Sequence, residues 1–193
     1  MTRRTFLQLP AFALLLDPLP VPHLVAFGDS ITAGMGGPYP YAPEVARRLG
    51  YALDNRAVGS TFAVQHVAAI QAASFGALDR ALWLTGFNDM RGGTPLDDYR
   101  ALLTAGLAAC PVPLLLGNCL RMAVYDYVGS AARVEAMNAI IAEVAANFPL
   151  VQLVDTCAAF DPANVDDGVH PNDAGHAQLA QAFAPWRAWS PMG

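Results

Sequence analysis

Two patterns alternate along the chain. The first is a short run of apolar residues with no polar face. His23-Leu24-Val25-Ala26-Phe27 is such a run, following the punctuation Asp17-Pro18-Leu19-Pro20-Val21-Pro22. Ala81-Leu82-Trp83-Leu84-Thr85, Val112 to Leu116 and Leu150 to Val154 have the same character. Runs that do not alternate are how parallel strands covered on both faces read. Tyr51 to Val58 is more polar and predicts an edge strand. The second pattern is helical. Pro43 to Leu49 and the Ala-rich Val64 to Ala73 predict helices. Thr94 is placed to cap a third, with Pro95 at its first position. Ser130 to Phe148 carries Val134, Met137, Ile140, Ile141 and Val144 as a 3.6-period stripe. Asn172 to Phe183, capped by Asn172 after Pro171, is the last.

This alternation, without an internal repeat, low-complexity linker or second domain, predicts an α/β domain with a mostly parallel, five-stranded sheet. A chain of 193 residues suits one such domain and can bury a core without staples. Ligands of open parallel sheets bind beyond the carboxyl ends of the strands. The polar residues to examine are therefore those directly after each apolar run. They are Asp29-Ser30, Gly59-Ser60, Asn88-Asp89 and Asn118, with the late segment from Asp166 to His176.

Composition narrows the chemistry. Hydrophobic residues make up 54% and charged residues 14%, which argues against disorder. The net charge of −5 and the lack of an Arg cluster disfavour a nucleic-acid partner. All eleven basic residues are Arg. With no lysine, a phosphate-loop lysine, a Schiff base and a Ser–Lys dyad are excluded. Cys110, Cys119 and Cys157 lie in or beside apolar runs and read as buried small hydrophobes, with a Cys119–Cys157 bridge left open. At the N-terminus, Thr2-Arg3-Arg4-Thr5-Phe6-Leu7-Gln8 and the apolar run from Leu9 to Leu16 are similar to a twin-arginine export signal. The expected organisation is an export-signal-like segment over 1–20 and a single domain over 21–193. Export to the periplasm or medium is the expectation, with a cytoplasmic chain whose first turn is basic as the alternative, since Asp17 ends the run and no small-x-small cleavage site follows. The run is too short to span a bilayer.

Three stretches carry chemistry. Gly28-Asp29-Ser30-Ile31-Thr32-Ala33-Gly34 puts a serine at the exit of a buried strand, between glycines that keep bulk away. A serine there also fits a helix N-cap. Asp166-Asp167-Gly168-Val169-His170-Pro171 supplies a base for a serine proton, and Asp167, three residues earlier in a Gly-containing turn, can orient the ring. A polar loop, or a metal site from Asp166, Asp167, His170, Asp173 and His176, is the competing reading, though the spacing matches no common ligand pattern. Thr85-Gly86-Phe87-Asn88-Asp89 offers an Asn amide as an oxyanion donor, or simply a turn former.

Together these blocks make the chain resemble the SGNH hydrolases, the GDSL esterase/lipase family. The first, third and last blocks of that family are similar to residues 28–34, 86–89 and 167–171, in the same order. The resemblance implies a three-layer α/β/α sandwich, flavodoxin-like, with Ser30 as nucleophile, His170 as base and Asp167 as its orienter. It implies oxyanion donors from the Ser30 N–H, a second-block N–H and the Asn88 side chain. The second block departs from the family pattern. In Asn55-Arg56-Ala57-Val58-Gly59-Ser60-Thr61 the donor is Ser60 counted from Asn55 and Gly59 counted from Thr61, with Gly59 preferred. The implied activity is hydrolysis of small acyl esters, with no metal or cofactor. Carbohydrate O-acetylesterase, lysophospholipase and thioesterase activities belong to the same family. A non-catalytic carbohydrate- or lipid-binding module is the alternative from another class. The implied partner is a small-molecule ester or acetylated saccharide, with no nucleic acid and no stable membrane insertion. Asp29 reads as a buttress of the Ser30 turn, and His176 as structural. His23 and His66 have no evident partner. Tyr39, Tyr41, Met122, Tyr125 and Tyr127 are candidate pocket walls, and Arg91 and Arg121 lie near strand exits.

Overall fold

The computed structural model describes residues 21–122 and 130–185. The export-signal-like segment and the candidate walls Tyr125 and Tyr127 lie outside the described residues. Five strands, β1 (His23–Phe27), β2 (Ala52–Asn55), β3 (Arg80–Leu84), β4 (Leu114–Gly117) and β5 (Val151–Val154), form one sheet in the order β2-β1-β3-β4-β5. Every pair is parallel. The described helices are α1 (Ser30–Ala33), α2 (Tyr41–Leu49), α3 (Ala63–Gln71), α4 (Phe87–Gly92), α5 (Leu96–Ala109), α6 (Ser130–Ala145), α7 (Thr156–Ala159) and α8 (Asp173–Phe183). α3 packs on α5 and α5 on α6, while α2 packs on α8. Two helical layers sandwich the sheet, the three-layer α/β/α arrangement expected.

The central strands are apolar because both faces are covered. Leu24, Val25, Ala26 and Phe27 of β1 and Ala81, Leu82 and Trp83 of β3 are buried. The α6 stripe of Val134, Met137, Ile140, Ile141 and Val144 is buried as its period predicts. β2 is an edge strand, as its polarity indicates, and so is β5, where Leu153 is exposed.

Strand order locates the site. From β1 the chain steps to one side to form β2, then returns past β1 to form β3 on the other. The connections leaving β1 and β3 therefore diverge, and this switch point opens a crevice at the carboxyl ends of the two strands. β1 and β3 end side by side, with Phe27 paired to Trp83.

Thr94 does not cap α5. Its hydroxyl donates to Asp89 Oδ1 at 3.0 Å, and Pro95 occupies the cap position without a side-chain hydrogen bond. The competing reading of Ser30 as a cap also fails, because Asp29 takes that role and Ser30 is the first helical residue. α4 and α7 were not foreseen. At six and four residues they are too short to show a period.

Candidate active site at the switch point

Ser30 leaves β1 in a tight turn. Asp29 Oδ1 accepts from the Ile31 N–H at 3.0 Å and starts α1, the buttressing role expected of it. Gly28 has φ +152°, and a Cβ there would sit 2.2 Å from Thr32 Oγ1 and 2.9 Å from the Leu84 carbonyl oxygen. Only glycine passes between the ends of β1 and β3 in this conformation. Burial pushes the Asp29 carboxyl up to about 6, against the Ile31 hydrogen bond and the field of His170, which favour the charged form.

The segment 165–173 brings the imidazole to this serine. Val165 and Pro171 form an antiparallel bridge that closes the loop at its base. Within it, Asp167 Oδ1 accepts from the Val169 and His170 N–H groups at 3.0 and 2.7 Å. Asp167 Oδ2 lies 2.6 Å from His170 Nδ1, and His170 Nε2 lies 3.0 Å from Ser30 Oγ. An acceptor-only carboxylate at Nδ1 assigns the proton to that nitrogen, leaving the Nε2 lone pair to accept from the serine hydroxyl. These hydrogen bonds, first the backbone one from His170, hold the Asp167 carboxyl well below the usual carboxylate range. A glycine strap presses on the same segment. A Cβ on Gly36, at φ +114°, would lie 2.2 Å from the Pro171 carbonyl oxygen and 3.0 Å from His170 Cβ. From below, His176 Nε2 donates to the Met35 carbonyl at 3.1 Å, which makes His176 a structural tie.

The third side of the crevice comes from the β3 exit and the second block. Asn88 Nδ2 donates to the Thr61 carbonyl at 2.9 Å and stands 3.5 Å from Asp29 Oδ2. Asp89 Oδ2 accepts from the Ala63 N–H at 2.9 Å. Two adjacent α4 side chains thus clasp the backbone just before and at the start of α3. Gly59 faces Ser30, since a Cβ there would be 3.8 Å from Ser30 Cβ and 3.5 Å from Met35 Sδ. Ser60 is exposed and takes the left-handed conformation, φ 62°. Asn55, which opens the block, donates to the Thr32 carbonyl at 3.0 Å.

Several candidates are elsewhere. Asn118 bonds Asp155 at 2.9 Å and the Cys157 N–H at 2.7 Å, joining the exits of β4 and β5. Met122 is buried rather than a pocket wall, while Tyr41, also buried, bonds Thr32 Oγ1 through its Oη at 2.9 Å and lines a cavity away from Ser30 and His170. Tyr39 is exposed beside a cavity of about 560 Å³ that Pro38, Arg47, Asp173 and His176 also line, and that neither Ser30 nor His170 borders. Arg121 pairs with Glu135 at 3.3 Å. Cys110, Cys119 and Cys157 are free thiols, so the bridge left open does not form. Among the described residues, no three His, Cys, Asp or Glu side chains gather as a metal-holding group. His23 and His66 do have partners, the former Asp79 and the latter Trp83 and Thr61. The half-exposed Met35 beside Gly59 was missed, because nothing in a loop methionine signals which neighbour it meets.

Residues 26–178, which include every residue of this crevice, match the model of the GDSL-like Lipase/Acylhydrolase family. The chain belongs to this family. Its GDSL fold is shared by an acetylxylan esterase from Geobacillus stearothermophilus, solved as a catalytic mutant, at a TM-score of 0.72 and 19% identity, covering 88% of this chain and 95% of that one. An alpha/beta hydrolase from the metagenome of Lake Arreo, Spain, aligns at a TM-score of 0.69 and 22% identity, covering 84% and 93%. A lipase/acylhydrolase from Enterococcus faecalis aligns at 0.69 and 17%, covering 85% and 94%. No curated protein matches the sequence. At these identities the structural likenesses speak for the GDSL fold alone.

Proposed function

We propose that the protein is a serine ester hydrolase in which Ser30 is the nucleophile, His170 the general base and Asp167 its orienter. The observation that carries this reading is the unbroken hydrogen-bonded line from Asp167 through His170 to Ser30, at 2.6 and 3.0 Å. Ser30 Oγ attacks an ester carbonyl as His170 Nε2 takes its proton, and Asp167 stabilises the imidazolium. The oxyanion is met by the N–H groups of Ser30 and Gly59, with Ser60 the alternative second-block donor, and by the Asn88 amide. His170 returns the proton to the leaving alcohol. Water then repeats the sequence on the acyl-enzyme.

Small acyl esters are the proposed substrates. Removal of acetyl groups from saccharides is a second reading, favoured by an open rim. The side chain of Asp167 is 57% exposed and Met35 is 50% exposed, so a bulky alcohol portion can stay in solvent. An exported enzyme, as the N-terminal resemblance implies, would meet such polymers outside the cell. Hydrolysis of p-nitrophenyl acetate by the parent and its loss in Ser30→Ala is the expected result, and a Ser30→Ala variant working at the parent rate refutes the assignment. An acyl-chain series run beside acetylated sugars separates the two substrate classes. A binding module without catalysis would turn over none of them.

A further inference from the structure

His66 lies outside the mechanism above, yet it is 3% exposed and fully engaged. Trp83 Nε1, which can only donate, points at His66 Nδ1 at 3.1 Å. The imidazole therefore carries its proton on Nε2, which lies 3.0 Å from Thr61 Oγ1. The Thr61 hydroxyl accepts there and donates its own proton to the Val58 carbonyl at 2.6 Å. Val58 in turn donates its N–H to the Gly28 carbonyl at 3.1 Å, at the entrance to the Ser30 turn. The carbonyl of the same Thr61 receives the Asn88 amide at 2.9 Å. One threonine thus closes the 58–61 loop that presents Gly59 and fixes the amide of Asn88. The Gly28 carbonyl, 3.4 Å from the Thr61 hydroxyl, is a second and longer acceptor, and the chain from Trp83 through His66 to Thr61 has a single polarity.

We propose that His66 is a positioning residue for the oxyanion donors, acting through Thr61, whose hydroxyl binds the imidazole and whose carbonyl holds the Asn88 amide. The proposal rests on the hydrolase reading above. It assigns no contact with substrate to either residue. Burial pushes the His66 imidazole down to about 4, so it stays neutral, and the polarity of the chain is kept, at the pH where an ester hydrolase of this kind is assayed. Gln65 Oε1 accepts from the Phe62 N–H at 2.9 Å and Asp89 holds the Ala63 N–H, so α3 keeps its start without His66. The contribution of His66 is therefore to the loop rather than to the helix.

Thr61→Val removes the hydroxyl while keeping the volume, and Thr61→Ser restores it. His66→Leu removes the donor, and His66→Gln keeps one within reach of Thr61. Steady-state hydrolysis of p-nitrophenyl acetate and inhibition by an aryl boronic acid, which mimics the tetrahedral intermediate, are measured on each full-length variant. Thr61→Val and His66→Leu are expected to lower kcat by roughly 10- to 100-fold with KM nearly unchanged, the scale of a misplaced donor. The boronate inhibition constant should rise by the same factor, and Thr61→Ser and His66→Gln should recover most of the loss. In an Asn88→Ala background, Thr61→Val should cost several-fold less, because one donor it positions is already gone. A Thr61→Val variant within about threefold of the parent in kcat overturns the proposal. So does an equal loss with and without Asn88, or a loss in His66→Leu that His66→Gln does not relieve. A parent that neither hydrolyses the ester nor binds the boronate overturns the hydrolase reading and this proposal with it, whereas an active parent with an indifferent Thr61→Val overturns the positioning role alone.

Discussion

Asp167→Asn isolates the tautomer of His170 from the rest of the site. The carboxylate accepts three N–H groups, from the Val169 backbone, the His170 backbone and the His170 ring. An Asn oxygen can still take both backbone bonds at Oδ1, so the turn survives. At the Oδ2 position the variant presents an NH₂ group 2.6 Å from Nδ1, where the parent has an acceptor. Two donors cannot face each other, so the ring proton moves to Nε2 and the lone pair facing Ser30 Oγ is lost. The serine proton then has nowhere to go. In the general template of a serine–histidine–aspartate site, the same exchange costs about 10⁴-fold in kcat. That is about 5.5 kcal/mol of transition-state stabilisation at 1.36 kcal/mol per decade. Here the carboxylate side chain is 57% exposed, so solvent screens its charge and the tautomer supplies most of the effect. The expected loss is therefore roughly 10³- to 10⁴-fold in kcat, nearly independent of ionic strength. Hydrolysis of p-nitrophenyl acetate at low and high salt, with circular dichroism as a check on folding, measures both parts. A folded Asp167→Asn variant within tenfold of the parent would refute the tautomer argument.

Asn88→Ala should cost roughly 100- to 1000-fold in kcat, read from steady-state kinetics, since one preorganised donor is removed. Asp29→Asn should separate stability from rate. A buried carboxyl raised from 3.8 to about 6 gives stability that is present below about pH 4 and lost as pH rises through about 6. Asn keeps the cap but not the titration, so urea unfolding should show it more stable than the parent at pH 7, by up to about 3 kcal/mol, with the gain fading towards pH 4. It should also be slower, because its amide would face the Asn88 amide. Gly106→Ala tests packing against propensity. The exchange gains about 1 kcal/mol within α5, but its Cβ would lie 2.7 Å from the buried indole of Trp83. Overpacking of about 1–3 kcal/mol should win, lowering the melting temperature.

The legible parts of the chain are those where a local pattern and a tertiary requirement coincide. β1 was read to the residue, because Pro22 and Gly28 bracket an unbroken apolar run whose two faces are both covered. The Asp167-to-His170 turn was legible for a similar reason: four consecutive residues contain both partners and the glycine that bends them together. β5 gave the same apolar signal as the central strands but lies at an edge, since one neighbour is enough to select an apolar strand and sequence does not count neighbours. Thr94 reads as a cap from its position before Pro95, and its hydroxyl is drawn instead to a carboxylate that the β3 exit brings close. His66 had no visible partners because Trp83 is 17 residues away on another element and Thr61, five residues earlier, lies in a loop before α3 where helical spacing does not apply. Nothing at the level of spacing links a helix imidazole to a strand indole. The proposed preference for Gly59 over Ser60 rests on the closeness of Gly59 to Ser30, which depends on how the 58–61 loop folds back on Gly28 and is not visible in spacing.

Covalent capture of the nucleophile tests the central claim most directly. Incubation of the full-length protein with a fluorophosphonate, followed by digestion and mass spectrometry, should place the adduct on Ser30 alone, and Ser30→Ala should remain unlabelled. No adduct on the folded parent, or an adduct on another residue with Ser30 unmodified, would contradict the account.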